Sequence, residues 1–183
     1  MKYVMGLDPG FASFGVVLLQ LDKSSEIPVH MDVIRTTKSN KKLKTLSTDD
    51  NFRRTQILVE ELSKLLMAHE VVAIGAEAMS FTRNASSSAK LGMSWGVIAS
   101  LAFRWDLPVF QCSPQELKLR VAGSKQASKQ AVADAMRRRY PDVDFDDLLK
   151  KLPFGEHEHA WDALASVVAC LGTEPVRMIR RMM

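Results

Sequence analysis

The chain has 183 residues, 46% apolar and 25% charged; that suits about one domain with a sizeable core, and excludes wholesale disorder. Its 25 basic and 21 acidic residues leave a net charge of +4, too small an excess to name a polyanionic partner by itself. No stretch approaches the ~18 unbroken apolar residues of a membrane span, and Asp8 falls where a secretory signal would need its apolar region, so the protein is expected to be cytoplasmic, not secreted and without a membrane partner.

Residues 2–8 predict a short apolar strand ending in Asp8, Pro9-Gly10 a turn, and residues 14–21 a second strand. A third is predicted over residues 29–36, with Val29, Met31 and Val33 on one face. The polar, basic stretch 37–50 is a predicted loop, and Leu58, Leu62, Leu65 and Leu66 then recur at helical spacing. Residues 71–76 are a continuous apolar run ending at Glu77, as in a strand covered on both faces. A long helix over 85–105 and a short strand over 107–110 follow.

Ser113-Pro114-Gln115-Glu116 has the makings of a capped helix start: a capping serine, a proline in the first turn and a glutamate three residues on. A loop over 123–128 precedes a helix over 129–140, and a last helix runs from about 156 to 171, with Gly172 placed to end it. About residues 173–183 read as a basic tail of a single domain spanning 1–183. Three strands followed by alternating helices and strands define an α/β chain with a mixed sheet. Cys112 and Cys170 read as buried thiols in a reducing compartment.

The acids are placed unusually. Asp8 and Glu77 each end an apolar strand, and Asp162 sits on an otherwise apolar helix among Ala160, Ala163, Leu164 and Ala165. A carboxylate on a buried element is costly unless it is paired or binds a cation. Alone, Asp8 before Pro9-Gly10 reads as a turn former, and Glu77 as a surface acid at a strand end. Together they could converge as hard oxygen ligands for Mg²⁺ or Mn²⁺, the donor set of two-metal phosphodiester cleavage. His159 lies three residues before Asp162 on the same helix face, with Glu158 near it.

Basic residues are clustered: Lys38, Lys41, Lys42 and Lys44 in one stretch, then Arg53 and Arg54, then Arg137 to Arg139, and Arg177, Arg180 and Arg181 near the end. Each cluster alone is a solvated face; together they suit a nucleic-acid partner. The predicted helix over 85–105 has two apolar sides, a small-residue strip of Ala89, Gly92, Met93, Gly96 and Ser100, and another of Leu91, Trp95, Ile98 and Ala102. Two such sides call for two partners, its own sheet and a second subunit, or for tight packing inside one chain.

Four blocks in order resemble the RuvC-type Holliday-junction resolvases: Gly6-Leu7-Asp8-Pro9-Gly10 with Gly15; residues 84–92 continuing through Gly96-Val97; Leu107-Pro108-Val109-Phe110; and Asp162-Ala163-Leu164-Ala165. The resemblance runs from Met5 to about Gly172 and implies a ribonuclease H-like fold, a five-stranded mixed sheet flanked by helices. It implies a homodimeric endonuclease with two Mg²⁺ per site (Mn²⁺ substituting), making symmetric paired nicks in four-way junctions, with a branch-migration helicase as a candidate partner. Asp8, Glu77 and Asp162 fall on the family's catalytic, metal-binding acids, and Lys118 and Lys129 on its active-site lysines. His159 stands where many members carry a fourth acid, as a metal ligand or an acid–base group. Phe81 matches an aromatic that stacks on unpaired bases, and Arg83 and Asn84 are candidate phosphate contacts. The stretch 38–44 is longer and more basic than the family's usual connection, which adds Lys41 and Lys42 as candidate DNA contacts. Three rivals stand beside this reading: a broader flap or branched-DNA nuclease of the same fold, a catalytically weak junction-binding module, and an actin-like nucleotide-binding fold.

Overall fold

The computed structural model describes residues 1–40, 42, 44–80 and 84–181. Strands β1 (Lys2–Asp8), β2 (Ser13–Leu21), β3 (Glu26–Arg35), β4 (Glu70–Glu77) and β5 (Val109–Cys112) form one sheet in the order β3-β2-β1-β4-β5. β1–β2 and β2–β3 are antiparallel hairpin pairs; β1–β4 and β4–β5 are parallel, joined through helices. β1, β3 and β4 therefore run in one direction and end at one edge of the sheet.

Both sheet faces are covered, which explains why the central strands are apolar nearly throughout. On one face lie α1 (Ser47–Ala68) and α2 (Ala85–Arg104). The helical stripe Leu58, Leu62 and Leu66 packs there with Met5, Leu7, Phe14, Ile74 and Ile98. On the other lie α3 (Pro114–Ala122), α4 (Lys129–Arg139), α5 (Phe145–Leu149) and α6 (His157–Leu171). Val4, Val17, Leu19 and Val33 meet Met136, Phe145, Trp161, Leu164 and Val167 there. The predicted capping box closes at Ser113 and Glu116, and Gly123 ends α3 in the left-handed conformation.

Several expectations are corrected. Val29 is exposed, not on the face of buried Met31 and Val33. Leu18 pairs with His30 but Leu19 with Pro28, so Val29 is the extra residue of a bulge. β5 starts at Val109, not Leu107, because Leu107 N–H still bonds the Ala102 carbonyl at 2.9 Å, closing the end of α2. α1 starts at Ser47, inside the predicted loop; Asp49 and Asp50 in its first turn suit the positive end of the helix dipole. Gly172, by contrast, ends α6 as expected, in the right-handed region.

The predicted tail contains a further helix, α7 (Glu174–Arg181). Val176 is fully buried, and Arg180 pairs with the largely buried Glu26, which also takes Arg139 at 2.6 Å. This long-range ion cluster holds down a segment whose composition alone reads as a solvated tail.

Candidate active site

Leu7 pairs with Ala76 in the parallel register, so Asp8 and Glu77 are the next residues out on adjacent strands. Helix α6 crosses directly above them. Its approach depends on missing side chains: a methyl at Gly6 would run into the Ala163 carbonyl, and one at Gly15 into the His159 carbonyl. The glycines of β1 and β2 thereby seat α6 on the sheet and bring His159 and Asp162 to the end of β1. Lys118 comes from α3, and Lys129 is the first residue of α4, where the Ser128 side chain caps by accepting from Ala131 N–H at 3.1 Å.

Asp8, Glu77, Lys118, Lys129, His159 and Asp162 all line one cavity of about 300 Å³, whose apolar wall is Pro114, Leu117 and Val132. Sequence reasoning named the six polar residues but not this wall, which carries no local signal beyond helical spacing. Nδ1 of His159 lies 2.7 Å from Oδ2 of Asp8. Lys129 Nζ lies 3.5 Å from Asp162 and 3.1 Å from Glu158. Glu158 thus sits on the rim and holds Lys129 rather than lining the cavity.

The electrostatics are those of too many carboxylates in too little water. Burial, then the charges of Asp8 and Asp162, push the Glu77 carboxyl up to about 7, against the pull of Lys129 and Lys118. Burial also raises Asp162, opposed by Lys129. The hydrogen bond to Asp8 raises the His159 imidazole above its ordinary value. Among the described residues no three His, Cys, Asp or Glu side chains are drawn in tightly enough, as they stand, to ligate one ion. Asp8 leans instead on His159, and Asp162 on Lys129. Donor type, and the burial and mutual repulsion that raise Glu77, nonetheless fit a hard divalent cation at Asp8, Glu77 and Asp162.

The remaining predicted contacts are scattered. Phe81, Arg83 and Lys41 lie outside the described residues. Lys42 is exposed on the connection after β3, its N–H bonded to the Asn40 side chain at 3.0 Å. Asn84 caps α2, its side chain accepting from Ser86 and Ser87 N–H at 2.9 and 3.2 Å. Cys112 and Cys170 are free and buried together behind the cavity wall with Leu117 and Val132. No described helix is long and apolar enough to cross a membrane.

A five-stranded sheet in this order, with acids at the ends of its central parallel strands and on the helix crossing them, has the ribonuclease H-like nuclease architecture. The family model "Crossover junction endodeoxyribonuclease RuvC" matches residues 4–169. The chain belongs to that family. Among its relatives, the RuvC of Pseudothermotoga lettingae is 30% identical over 134 residues, 73% of this chain and 77% of that one. That of Thermosipho melanesiensis is 27% identical over 171 residues, 93% and 97% of the two chains. The fold is similar to that of T. thermophilus RuvC in complex with a Holliday junction substrate, with TM-score 0.71, 22% identity and 98% of each chain covered. It is also similar to that of the yeast mitochondrial Holliday junction resolvase, with TM-score 0.60, 12% identity, and 98% of this chain and 85% of that one covered.

Proposed function

We propose that this protein is a structure-selective endonuclease that resolves four-way DNA junctions by Mg²⁺-dependent hydrolysis of phosphodiesters, placing paired nicks as a homodimer. The observation that carries this reading is the gathering of Asp8, Glu77, His159, Asp162, Lys118 and Lys129 into one cavity, in a chain of the crossover junction endodeoxyribonuclease family.

Asp8, Glu77 and Asp162 are the residues that would hold Mg²⁺, two ions per site, with His159 as a further ligand or a proton carrier. When bound, Mg²⁺ supplies Lewis acidity and positive charge toward water and the phosphoryl oxygens. The side chains do the rest. Lys118 and Lys129 line the same cavity, from α3 and α4, and would give the scissile phosphate its cationic contacts. Glu158 keeps Lys129 aimed at the rim through a 3.1 Å ion pair. The His159 imidazole, held at Nδ1 by Asp8, keeps its proton to higher pH than a free histidine and can deliver it to a leaving oxygen. Pro114, Leu117 and Val132 limit water on one wall and so strengthen these charges.

Phe81 would stack on an unpaired base, and Arg83, Asn84, Lys41 and Lys42 would contact the backbone. Helix α2 supports the dimer: Ala89, Gly92, Met93, Gly96 and Ser100 are all exposed, while Val97, Ile98, Leu101 and Ala102 pack on the sheet. Among the described residues of one chain, its small-residue side therefore has no cover.

The test uses a labelled mobile-core four-way junction, a linear duplex and a flap, each with Mg²⁺ or EDTA. Symmetric paired nicks in the junction alone, lost in EDTA and in Asp8→Asn and Asp162→Asn variants that still bind, are the expected result. Comparable cutting of flaps would make the protein a broader branched-DNA nuclease. Junction binding with no cuts in Mg²⁺ or Mn²⁺ would make it a binding module.

A further inference from the structure

A second basic feature lies apart from the cavity that holds the acids. The connection from β3 to α1 and the first turns of α1 and α2 enclose a groove of about 520 Å³. Lys38, Lys44 and Lys90 line it, along with the hydroxyl-bearing Ser47 and Ser86. Among the described residues none of the three lysines is paired with a carboxylate, whereas Lys64, Lys129 and Lys150 all are.

The groove is built rather than draped. Asp50, the one acid in its lining, accepts from Ser39 N–H at 2.9 Å, Ser39 Oγ–H at 2.6 Å and Arg53 at 2.8 Å. Arg53 also donates to the Thr37 carbonyl at 2.6 Å. These bonds hold Asp50 well below the usual carboxylate range, so it stays ionised, and its ion-pair partner is Arg53 rather than any of the three lysines. Behind them Arg54 donates to Thr36 at 2.9 Å in the core. The start of the connection is thus pinned to α1, with its cations facing an open groove.

Topology fixes where the groove sits. β1, β3 and β4 are mutually parallel through their pairings, so the chain leaves Asp8, Arg35 and Glu77 at the same end of the sheet. The groove formed after Arg35 and before α2 therefore opens at the end that carries the acids, on the α1–α2 side of the sheet. Its described lining offers ammonium groups, hydroxyls and an amide-bearing Asn40 and Asn51, and no aromatic ring. That set suits phosphates, not stacked bases.

We propose that this groove is a separate binding site for the sugar-phosphate backbone of a DNA arm, away from the phosphate being cut. This rests on the reading of the protein as a DNA-acting nuclease and adds a contact surface to it. Phosphate contacts of this kind set register and salt dependence without reading sequence.

The test is equilibrium binding to a four-way junction in EDTA, from about 50 to 200 mM salt, for the wild type and a Lys38→Gln/Lys44→Gln/Lys90→Gln variant. At about 0.9 per phosphate contact, the slope of log K against log salt should become shallower by about 2 to 3. A Lys2→Gln/Lys23→Gln control, changed at the opposite sheet end, should keep the wild-type slope. Charge reversal to glutamate at the three groove positions should weaken binding further, and hydroxyl-radical footprints should lose arm protection while keeping protection at the crossover. An unchanged slope and footprint in a variant that still nicks the junction would overturn this site and leave the nuclease reading intact. A wild type that binds no DNA at any of these salts would overturn both.

Discussion

The His159 imidazole and the Asp8 carboxylate stand 2.7 Å apart, although 151 residues separate them in the chain. The pair joins the first strand to the last long helix across the mouth of the cavity. Because it raises the histidine, its stabilisation is fully present below the ordinary histidine value of 6.5 and is lost as pH rises through the raised folded value. His159→Gln should therefore cost most stability near pH 6 and progressively less toward alkaline pH, read by denaturant melts of metal-free protein. A pH-independent difference would mean that the pair contributes nothing through charge. His159→Asp makes a sharper case: a second carboxylate against Asp8 should lower metal-free stability at pH 8, and Mg²⁺ should restore it. Mg²⁺-dependent nicking by that variant should remain measurable; its complete loss in a folded protein would show that the imidazole has a role no carboxylate can fill.

Glu77 works against folding. Its carboxyl is raised from 4.5 to about 7, so the unfolded chain gives up this proton more readily than the folded one. Stability tied to this group is present below about pH 4.5 and is lost as pH rises toward 7. Glu77→Gln should therefore stabilise the metal-free protein at pH 8 by roughly 1–3 kcal/mol, allowing for solvent screening. That corresponds to several degrees in Tm. The gain should vanish at pH 4, and the variant should not cut. Equal melting of the two proteins at pH 8 would show that solvent or neighbouring lysines already neutralise the cost.

The seating of α6 predicts a contrast between two glycines. Gly15→Ala would drive a methyl into the His159 carbonyl, with Ala163 Cβ only 3.2 Å away. Overpacking of this kind costs about 1–3 kcal/mol or more and should displace the acid-bearing helix. Gly92→Ala on the exposed side of α2 meets nothing within 4 Å. It should stabilise the isolated chain by about 0.5–1 kcal/mol through helix propensity. Thermal melts check both, and a neutral Gly15→Ala would show that α6 can lift without loss.

Much of the site is legible in the residues themselves. Asp8 and Glu77 each close an apolar run, and Asp162 interrupts one, so the side-chain periods of strand and helix already mark all three as acids on buried elements. The capping box at Ser113 and the end of α3 at Gly123 are likewise local chemistry, readable because a cap bonds residues two or three apart. The bulge at Val29 and the helix at Glu174–Arg181 were not legible in that way. The first is set by the facing strand, and the second by Glu26, which lies 154 residues from Arg180.

The sequence by itself determined where most elements lie, which stripe of most of them faces the core, and that its acids have no business in an apolar setting without a partner, because all of these follow from neighbours within a turn or two. Only the tertiary structure decided that Asp8 meets His159, that Gly6 and Gly15 admit α6, that Lys129 guards Asp162, and that Lys38, Lys44 and Lys90 share a groove. Those relations depend on strand order and on the direction in which β1, β3 and β4 run together. Neither is encoded in any one segment; both come from burying the two faces of one sheet at the same time.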